Sequence, residues 1–403
     1  MHEAEKRNPP HPLQLSRAGG FTATGLAFAV AMVGTTLPTP LYTLYREQFG
    51  FSELMVTVIF ASYAIGVIAA LVLFGRLSDE IGRRRTLLPG LALSALSAVV
   101  FLAADGVPLL LVGRVFSGLS AGIFTGTATA TLVDLAPPGR QRQGTLAATI
   151  VSMAGLGCGP LLSGVLSQYA GSPLQLTFWV DLALLVPAAL GIWAMPEPVR
   201  HTHRPSLNLQ LPSVPQEMRP IFVRAVLAAF AGFAVLGLFS AVAPAFLGQE
   251  LDVTNRAAVG LVVFVVFAAS TAGQLMLELV SEAMALSGGC VALIAGMALV
   301  ALGLADSSLA LLVIGGVIAG FGQGLSFRAG LTSVNARAPA EQRGEVASSF
   351  FIVAYIAISL PVIGVGALAQ GTGLRTAGLI FAALVASLAA VVLGLLARGG
   401  ARR

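Results

Sequence analysis

A few ionisable side chains lie inside long apolar runs of this sequence, among them Arg114, Asp181 and Arg328. A charge at the centre of a hydrocarbon layer costs at least ~2.5 kcal/mol, so each of these groups needs an acid, a carbonyl group or water as a partner. Arg114 either extends its long side chain to the nearer surface or faces a central cavity. Asp181 is predicted to cap a helix end at a surface. Arg328 faces either Glu345 or a cavity.

A segment rich in small residues, GLGCGPLLSG, covers residues 155–164. Gly155, Gly159 and Gly164 let neighbouring helices approach closely. Pro160 kinks a helix because it lacks a backbone N–H. From the residues alone, this segment predicts close helix packing.

A charged segment, GRLSDEIGRRR, covers residues 75–85. Gly75 and Gly82 permit a tight turn. The carboxylate of Asp79 would be stabilised by an arginine or by a helix N-terminus. The simpler alternative is a basic loop with one stray acid, but the spacing G-x-L-x-D-x-x-G-R-R-R is more specific than its charge.

Groups typical of enzymes and metal sites do not converge in this sequence. Cys158 and Cys290 sit within apolar runs, where we expect them to be packing residues. No cysteine and histidine spacing is typical of a metal site, and no phosphate-binding loop of the GxxxxGK type is present. We therefore expect neither catalysis nor a bound cofactor or metal. All four histidines lie outside the apolar runs: His2, His11, His201 and His203.

The composition indicates that lipid, not water, surrounds most of this chain. Of the 403 residues, 56% are hydrophobic and only 10% are charged, against roughly 25% charged in soluble proteins. The net charge of +5 does not predict nucleic-acid binding, because the basic residues are scattered over short gaps between apolar runs.

Because a helix needs about 20 apolar residues to cross the hydrocarbon core, the sequence predicts an all-α membrane protein with twelve transmembrane helices. The eighth and ninth spans are nearly continuous, and we place their boundary near residues 278–282. The predicted spans are 21–41, 53–74, 87–104, 108–134, 145–167, 175–195, 222–247, 257–280, 283–305, 308–334, 346–368 and 376–397.

The distribution of lysine and arginine predicts the orientation. With the N-terminus in the cytosol, eighteen basic residues fall on the cytosolic side and three on the other side, as the positive-inside rule requires. The predicted organisation is a disordered cytosolic tail (1–20), a six-helix bundle (21–195), a cytosolic linker (196–221), a second six-helix bundle (222–397) and a cytosolic tail (398–403).

The two predicted bundles resemble each other at an offset of 202 residues. Gly118 matches Gly320, Gly122 matches Gly324, and Gly164 matches Gly366. The segment LVDLAPPGRQRQG also resembles SVNARAPAEQRG. Equal order and equal sidedness predict a parallel repeat, related by an axis along the membrane normal.

The loop at 75–85, together with the twelve spans, the central linker and the repeat, resembles the major facilitator superfamily over the whole chain. The resemblance implies that Gly75, Asp79, Gly82 and Arg83 form a conformational latch. In the outward-open state Asp79 would contact the start of the eleventh helix, near Gly344. In that family, an acid at the cytosolic end of the fourth helix forms a charge relay with the Asp and Arg of the loop. Here that position is Asp134.

Two further motifs imply a branch of that family. The segment at 155–164 resembles the antiporter motif G-x-x-x-G-P-x-x-[GS]-G, with Gly155, Gly159, Pro160 and Gly164 at the matching positions. Arg114 resembles a fourth-helix arginine that the family links to proton transfer. The expected function is therefore proton-coupled efflux of a small apolar or amphipathic compound. The alternatives are a proton symporter importing a nutrient and a membrane-embedded enzyme or sensor.

The remaining expectations concern coupling, cavity and location. Arg114, Asp181 and Arg328 are the candidates for proton coupling or for the cavity, and Tyr42 and Tyr63 are further cavity candidates. The partners would be a small-molecule substrate, protons and the lipid bilayer. We expect a monomer that does not bind nucleic acid, in the plasma membrane (the inner membrane of a bacterium), with both termini in the cytosol.

Overall fold

The computed structural model describes residues 14–74, 77–199, 212–339 and 342–400. The described residues are helical without a strand, and twelve of their helical segments are long and apolar enough to cross a membrane. We number these α1 (Arg17–Thr36), α2 (Glu53–Phe74), α3 (Arg83–Leu102), α4 (Val107–Leu135), α5 (Gln141–Tyr169), α6 (Pro173–Ala194), α7 (Arg219–Gly237), α8 (Arg256–Met276), α9 (Glu282–Ala305), α10 (Leu309–Arg337), α11 (Arg343–Thr372) and α12 (Leu374–Gly400).

The predicted count and order of spans are confirmed. The difficult boundary between α8 and α9 also lies where the sequence placed it, because α8 ends at Met276 and α9 begins at Glu282. Ser281 makes this start, since its side chain accepts a hydrogen bond from the backbone N–H of Met284. We call the membrane face at which α1 begins and α12 ends the termini face.

Two spans are interrupted in a way that hydropathy did not predict. The first span was expected to run through residues 21–41, but α1 ends at Thr36 and a one-turn helix (Thr39–Leu41) leads into a second helix, Tyr42–Phe49. Pro38 and Pro40 account for the break, because proline cannot continue the hydrogen-bond ladder. The seventh span likewise passes through a π-helical turn at Leu238–Val242 before continuing to Glu250.

The predicted disordered tail at 1–20 is wrong for its last residues. Arg17 to Gly20 form the first turn of α1, and the Ser16 side chain caps that turn by accepting from the Gly19 N–H at 3.1 Å. At the other end α12 continues to Gly400, so it extends past the predicted span 376–397 into the predicted tail at 398–403. Residues 1–13 and 401–403, and 200–211 of the predicted linker, lie outside the described residues.

The parallel repeat is visible in how the helices pack. Gly118 and Gly122 of α4 face the backbone of α2, and the matching Gly320 and Gly324 of α10 face the backbone of α8. Each half therefore brings its second and fourth helices together through glycines at equivalent positions, because a side chain would prevent such close approach.

The two halves meet in a reciprocal pair of contacts at the face opposite the termini. A Cβ on Gly164 of α5 would lie 2.5 Å from the carbonyl oxygen of Arg256 at the start of α8. A Cβ on Gly366 of α11 would lie 3.1 Å from Cα of Leu54 at the start of α2. Leu54 and Arg256 are separated by 202 residues, as are Gly164 and Gly366. The contact of α5 with α8 and the contact of α11 with α2 are therefore equivalent. A two-fold axis along the membrane normal relates such a pair of contacts.

Candidate functional site: a cavity between the two halves

A cavity of about 470 Å³ lies between the two halves, within the size range of small-molecule sites. Its lining comes from α1, α2, α4 and α5 of the first half and from the equivalent α7, α8, α10 and α11 of the second, with Ser240 added by the π-helical turn after α7. Most of its described wall is aliphatic or aromatic. The aromatic lining residues include Phe28, Phe60, Phe233, Phe267, Phe327 and Phe351.

The cavity extends towards the termini face. On α5 its lining runs from Thr145 to Leu156, and on α10 from Phe327 to Asn335, which are the portions of both helices nearer that face. The opposite face is covered by the contacts of α5 with α8 and of α2 with α11. Polar groups add to this cover, since the Gln168 side chain accepts from the Arg256 N–H at 2.9 Å.

Arg114 lies in the wall of this cavity with only 2% of its surface exposed. Its guanidinium donates to the carbonyl oxygens of Thr35 (2.5 Å) and Phe60 (3.4 Å). It also lies over two aromatic rings, 5.5 Å from the centre of Phe60 and 4.8 Å from that of Tyr63. Of the two positions left open by the sequence, Arg114 therefore occupies the cavity and not the membrane surface.

The two tyrosines predicted for the cavity are found in different places. Tyr63 lines it and packs edge-on against Tyr355 of α11, with 5.8 Å between ring centres. Tyr42 is buried in the short helix that follows α1 and is not among the described lining residues, so the cavity prediction is wrong for it. Tyr355 was missed by the sequence analysis, although its place midway along α11, opposite α2, follows from the repeat.

Arg328 also lines the cavity, next to Phe327 at the end of the α10 lining that is farther from the termini face. It donates to the Thr149 hydroxyl at 2.7 Å and lies 3.6 Å from the carboxylate of Glu278. Glu278 also pairs with Arg142 at the start of α5. The sequence analysis offered Glu345 or the cavity for Arg328. The structure places Arg328 at the cavity, and the nearby acid is Glu278 at the end of α8.

A buried amide network beside the cavity was also missed. The Ser270 hydroxyl donates to the Gln323 side-chain oxygen at 2.5 Å, and the Gln274 amide lies 3.4 Å from the same hydroxyl. Gln274 lines the cavity, while Gln323 is fully buried. The sequence did carry a signal for this network. Uncharged polar residues occur within the spans, three or four positions apart on one helix.

Asp181 is not the interfacial cap that the sequence predicted. It lies well inside α6 with 2% of its surface exposed. A Cβ on Gly34 of α1 would lie 2.9 Å from one Asp181 carboxylate oxygen and 3.2 Å from the Ser94 hydroxyl of α3. The other carboxylate oxygen, Oδ1, has no hydrogen-bond partner among the described residues. Asp181 therefore lies behind the cavity wall, next to the α1 residue that precedes Thr35.

The loop residues predicted as a latch come together at the termini face, apart from Gly75, which lies outside the described residues. Arg83 is buried and pairs with Asp79 at 2.6 Å and with Asp134 at 3.0 Å. Gly82 has a φ of 106°, which only glycine adopts readily, and this turn places Arg83 at the start of α3. In this arrangement the ion pairs of Arg83 lie within the first half.

Glu197 adds an unpredicted acid to this group. Its carboxylate accepts from the backbone N–H groups of Arg83 at 2.8 Å and Arg84 at 3.0 Å. It thereby satisfies two donors at the N-terminus of α3, where a negative charge is favourable. The sequence could have indicated this contact, because Glu197 lies just after the sixth span, on the same face as the loop.

The small-residue segment of α5 packs against two helices at once. A Cβ on Gly155 or Gly159 would lie 2.6 Å from a carbonyl oxygen of α1, that of Ala29 or Val33. Gly164 faces α8, as does Pro160, whose backbone lies against Gly260. The segment thus holds α5 between α1 of its own half and α8 of the other half.

Twelve apolar helices arranged as two equivalent halves around a shared cavity define a multi-pass membrane transporter. The sequence profile described as "Major Facilitator Superfamily" matches residues 24–360. The chain belongs to that superfamily.

Curated relatives match part of the chain. A triacylglyceride transporter of Mycolicibacterium hassiacum is 27% identical over 197 residues, which is 48% of this chain and 37% of the relative. The inner membrane transport protein YajR of Escherichia coli is 26% identical over 186 residues, 44% of this chain and 38% of the relative. The matches therefore span less than half the length of these relatives.

Solved structures share the fold over nearly the whole chain. The human organic anion transporter MFSD10 has a TM-score of 0.68 at 18% identity, covering 95% of this chain and 100% of that one. A bacterial homologue of the human lysosomal transporter Spinster, in an inward-facing and occupied conformation, has a TM-score of 0.71 at 16% identity, covering 95% and 97%.

Proposed function

We propose that the protein is a proton-coupled exporter of a small apolar or amphipathic organic compound, working by alternating access in the plasma membrane. The observation that carries this proposal is the cavity built from equivalent helices of both halves and covered at one face. A cavity that extends towards only one face at a time can carry a solute across a membrane when the halves rock about it.

The termini face is proposed to be the cytosolic one, because the basic residues gather there. The arrangement then corresponds to an inward-facing state, like that named for the Spinster homologue. In an exporter this state collects substrate from the cytosol. The predicted linker at 196–221 would let the two halves, each a bundle of its own, rock while remaining joined on that side. The protein is proposed to act as a monomer.

The direction of transport rests on the α5 segment. Gly155 and Gly159 fix α5 against α1, while Gly164 and Pro160 fix it against α8. The cover over the opposite face therefore uses Gly164 and Pro160 directly, and the resemblance of the whole segment to the antiporter motif is the support for export. An importer would not need it.

Coupling is proposed to use the buried carboxylate of Asp181. It is the one carboxylate that is fully buried in the described spans, and a buried carboxylate that loses and regains a proton can carry it. Asp181 packs against Gly34, and the next residue, Thr35, is bound by Arg114 in the cavity. The group formed by Gly75, Asp79, Gly82, Arg83 and Asp134 is proposed to act as the latch in the opposite conformation.

The proposal is tested in bacterial cells that lack their own exporters. Cells producing the protein should retain less of some dyes and antibiotics from a broad panel, and a protonophore should abolish the difference. Cells carrying an empty vector are the control. Accumulation of a compound in place of its loss would instead support the symporter.

Proton coupling is tested in inside-out vesicles with an acidified lumen. A transported compound should release protons from the lumen, which a pH-sensitive dye inside the vesicles reports. Compounds that are not exported by the cells serve as controls. Export that proceeds without proton release would remove the coupling from the proposal.

A further inference from the structure

We infer that the cavity binds an amphipathic organic monoanion, with its carboxylate-type head group at Arg114 and its apolar body against the aromatic wall. This inference names the substrate class of the exporter proposed above and so rests on that function. It is carried by the balance of charge around the cavity and by the bonding of one buried arginine.

The cavity wall holds cations without acids. Arg114 and Arg328 both line it, whereas no aspartate or glutamate is found among its described lining residues. The acid nearest to Arg328, Glu278, is shared with Arg142, so that one carboxylate faces two guanidinium groups. The cavity is therefore electropositive, which favours an anion over a neutral or cationic ligand.

Arg114 has an unfilled bonding site. Its Nη atoms donate to two backbone carbonyl groups, but its Nε donor is buried and has no partner among the described residues. Carbonyl groups and aromatic rings lower the cost of a buried guanidinium without neutralising it. Guanidinium groups bind carboxylates and phosphates by directed, charge-assisted hydrogen bonds. An anionic ligand would thus supply the missing counter-ion.

The two arginines lie at different depths. Arg328 lies in the half of α10 that is closer to the termini face, and Arg114 lies in the half of α4 that is closer to the opposite face. An anion that enters from the termini face passes Arg328 first and reaches Arg114 at the covered end. Arg328 is thus assigned to attracting the ligand into the cavity, and Arg114 is assigned to binding its head group.

The wall between these charges excludes a purely inorganic ligand. Phenylalanines from α2, α8 and α10, at positions 60, 267 and 327, present rings to the cavity, and their burial against an apolar ligand contributes roughly 25 cal/mol for each Å² removed from water. A sulfate or phosphate ion would leave these rings against water. The ligand therefore carries an apolar body as well as one negative charge.

The test compares head groups on a fixed body with purified protein in detergent. Carboxylate, primary amide and primary amine are each placed on phenylbutyl, naphthylbutyl and biphenylbutyl bodies, and dissociation constants are taken from the ligand-dependent rise in unfolding temperature. At least one carboxylate should bind about tenfold or more tightly than its amide, which is the usual size of one charge-assisted hydrogen bond. The amine should bind most weakly.

Variants locate the effect. Arg114→Gln should remove the preference for carboxylate over amide, whereas Arg114→Lys should keep part of it. Arg328→Gln should weaken binding of the carboxylate less than Arg114→Gln does. The matched control is Arg375→Gln, because Arg375 pairs with Glu250 at the opposite face and does not line the cavity. This control should bind as the unaltered protein does.

Several outcomes would overturn the inference. These are an amide or amine that binds as tightly as the carboxylate, no carboxylate-dependent stabilisation with any body, and a preference that survives in Arg114→Gln. Sodium phosphate or sulfate displacing the ligand at equal concentration would show a site for inorganic anions. The comparison of head groups and the search for carboxylate-dependent stabilisation need only the unaltered protein. Binding is measured without a proton gradient, so it is independent of the export assay in cells. If no carboxylate binds but export remains sensitive to a protonophore, the substrate class is wrong while the proposed exporter function stands.

Discussion

The guanidinium of Arg114 lies over the ring of Tyr63, with 4.8 Å between Cζ and the ring centre. Tyr63 in turn packs edge-on against Tyr355 of the other half. One aromatic side chain thus connects the buried charge of α4 with the contact between α2 and α11. Arg114 therefore contacts a residue that itself belongs to the interface between the halves.

Replacing Arg114 by lysine should slow transport by about tenfold or more, because an ammonium group cannot form the planar fork that guanidinium uses. Lysine keeps the charge but loses the two bonds to the carbonyl groups of Thr35 and Phe60. Initial rates of efflux, corrected for the amount of protein in the membrane, measure the effect. Arg375→Lys is the control. An unchanged rate with an unchanged pH profile would reduce Arg114 to a structural residue.

Adding one methyl group at Gly366 should destabilise the cover over the opposite face. The new Cβ would lie 3.0 Å from the Thr57 methyl carbon and 3.1 Å from the Leu54 Cα. Overpacking of this kind costs about 1–3 kcal/mol. Gly366→Ala should therefore lower the midpoint of thermal unfolding in detergent and reduce transport.

A matched control lies two residues away on the same helix. A Cβ on Gly364 meets nothing within 4 Å, so Gly364→Ala should leave stability unchanged or raise it by up to about 1 kcal/mol through helix propensity. Equal losses in both variants would mean that the close approach of α11 to α2 is not what Gly366 provides.

The sequence predicted the spans and the repeat well for a physical reason. Lipid requires a continuous apolar helix of fixed length, so hydropathy alone determines the count. It could not predict the rotation of a helix about its axis. α6 is apolar around its whole circumference, so no stripe of polar residues indicates which face packs inward. The burial of Asp181 against Gly34 therefore needed the structure.

Partners brought together from distant spans were equally hidden. Arg328 and Glu278 lie on α10 and at the end of α8, and only the crossing of these helices makes them neighbours. The sequence suggested Glu345 because it is closer along the chain. The cluster around Arg83 was predicted better, since its spacing resembles a known loop, whereas Glu197 lies beyond that motif.

The two acids that pair with Arg83 should differ in their effect on stability. The Asp79 side chain is 62% exposed, and such pairs contribute about 0.2–1 kcal/mol. The Asp134 side chain is 35% exposed and also bonds the Nε of Arg83, so its loss should cost on the order of 1–3 kcal/mol. Asp134→Asn should therefore lower the unfolding temperature more than Asp79→Asn does.

Asp79→Asn should nevertheless impair transport while the protein still inserts into the membrane. The proposed latch acts in the opposite conformation, so its loss should affect transport more than it affects the stability of the conformation described here. Efflux rates and membrane abundance measure the two effects separately. Transport at the unaltered rate would remove Asp79 from the latch.

Glu278→Gln should open the cavity further at the termini face. Glu278 pairs with Arg142 of α5 and lies near Arg328 of α10, so its charge draws the two halves together there. Its removal leaves two guanidinium groups facing each other. A cysteine introduced at Ser152 in the cavity should then react several-fold faster with a polar maleimide added at the termini face. Glu282→Gln, on the neighbouring helix, is the control, and equal rates in both variants would contradict the assignment.

Asp181→Asn should separate binding from coupling. Asparagine preserves the shape of the carboxylate but cannot exchange a proton, and Asp181 is not among the described residues that line the cavity. We therefore expect ligand affinity to be retained within about threefold, because no contact with the ligand is lost. Efflux driven by a pH gradient should fall to the level of the empty vector. Exchange of labelled for unlabelled substrate, which needs no net proton movement, should continue.

The control for this prediction is Asp306→Asn, because Asp306 is an exposed acid after α9. It should keep both activities. If Asp181→Asn still drives uphill efflux with an unchanged dependence on pH, the proton is carried elsewhere. We expect Asp181 to carry the proton because it lies close to the part of α1 that Arg114 contacts. The carboxylate packs against Gly34 of α1, and Arg114 holds the carbonyl of the next residue. In the proposed mechanism, protonation of Asp181 would therefore act on the same short stretch of α1 that positions the cation in the cavity.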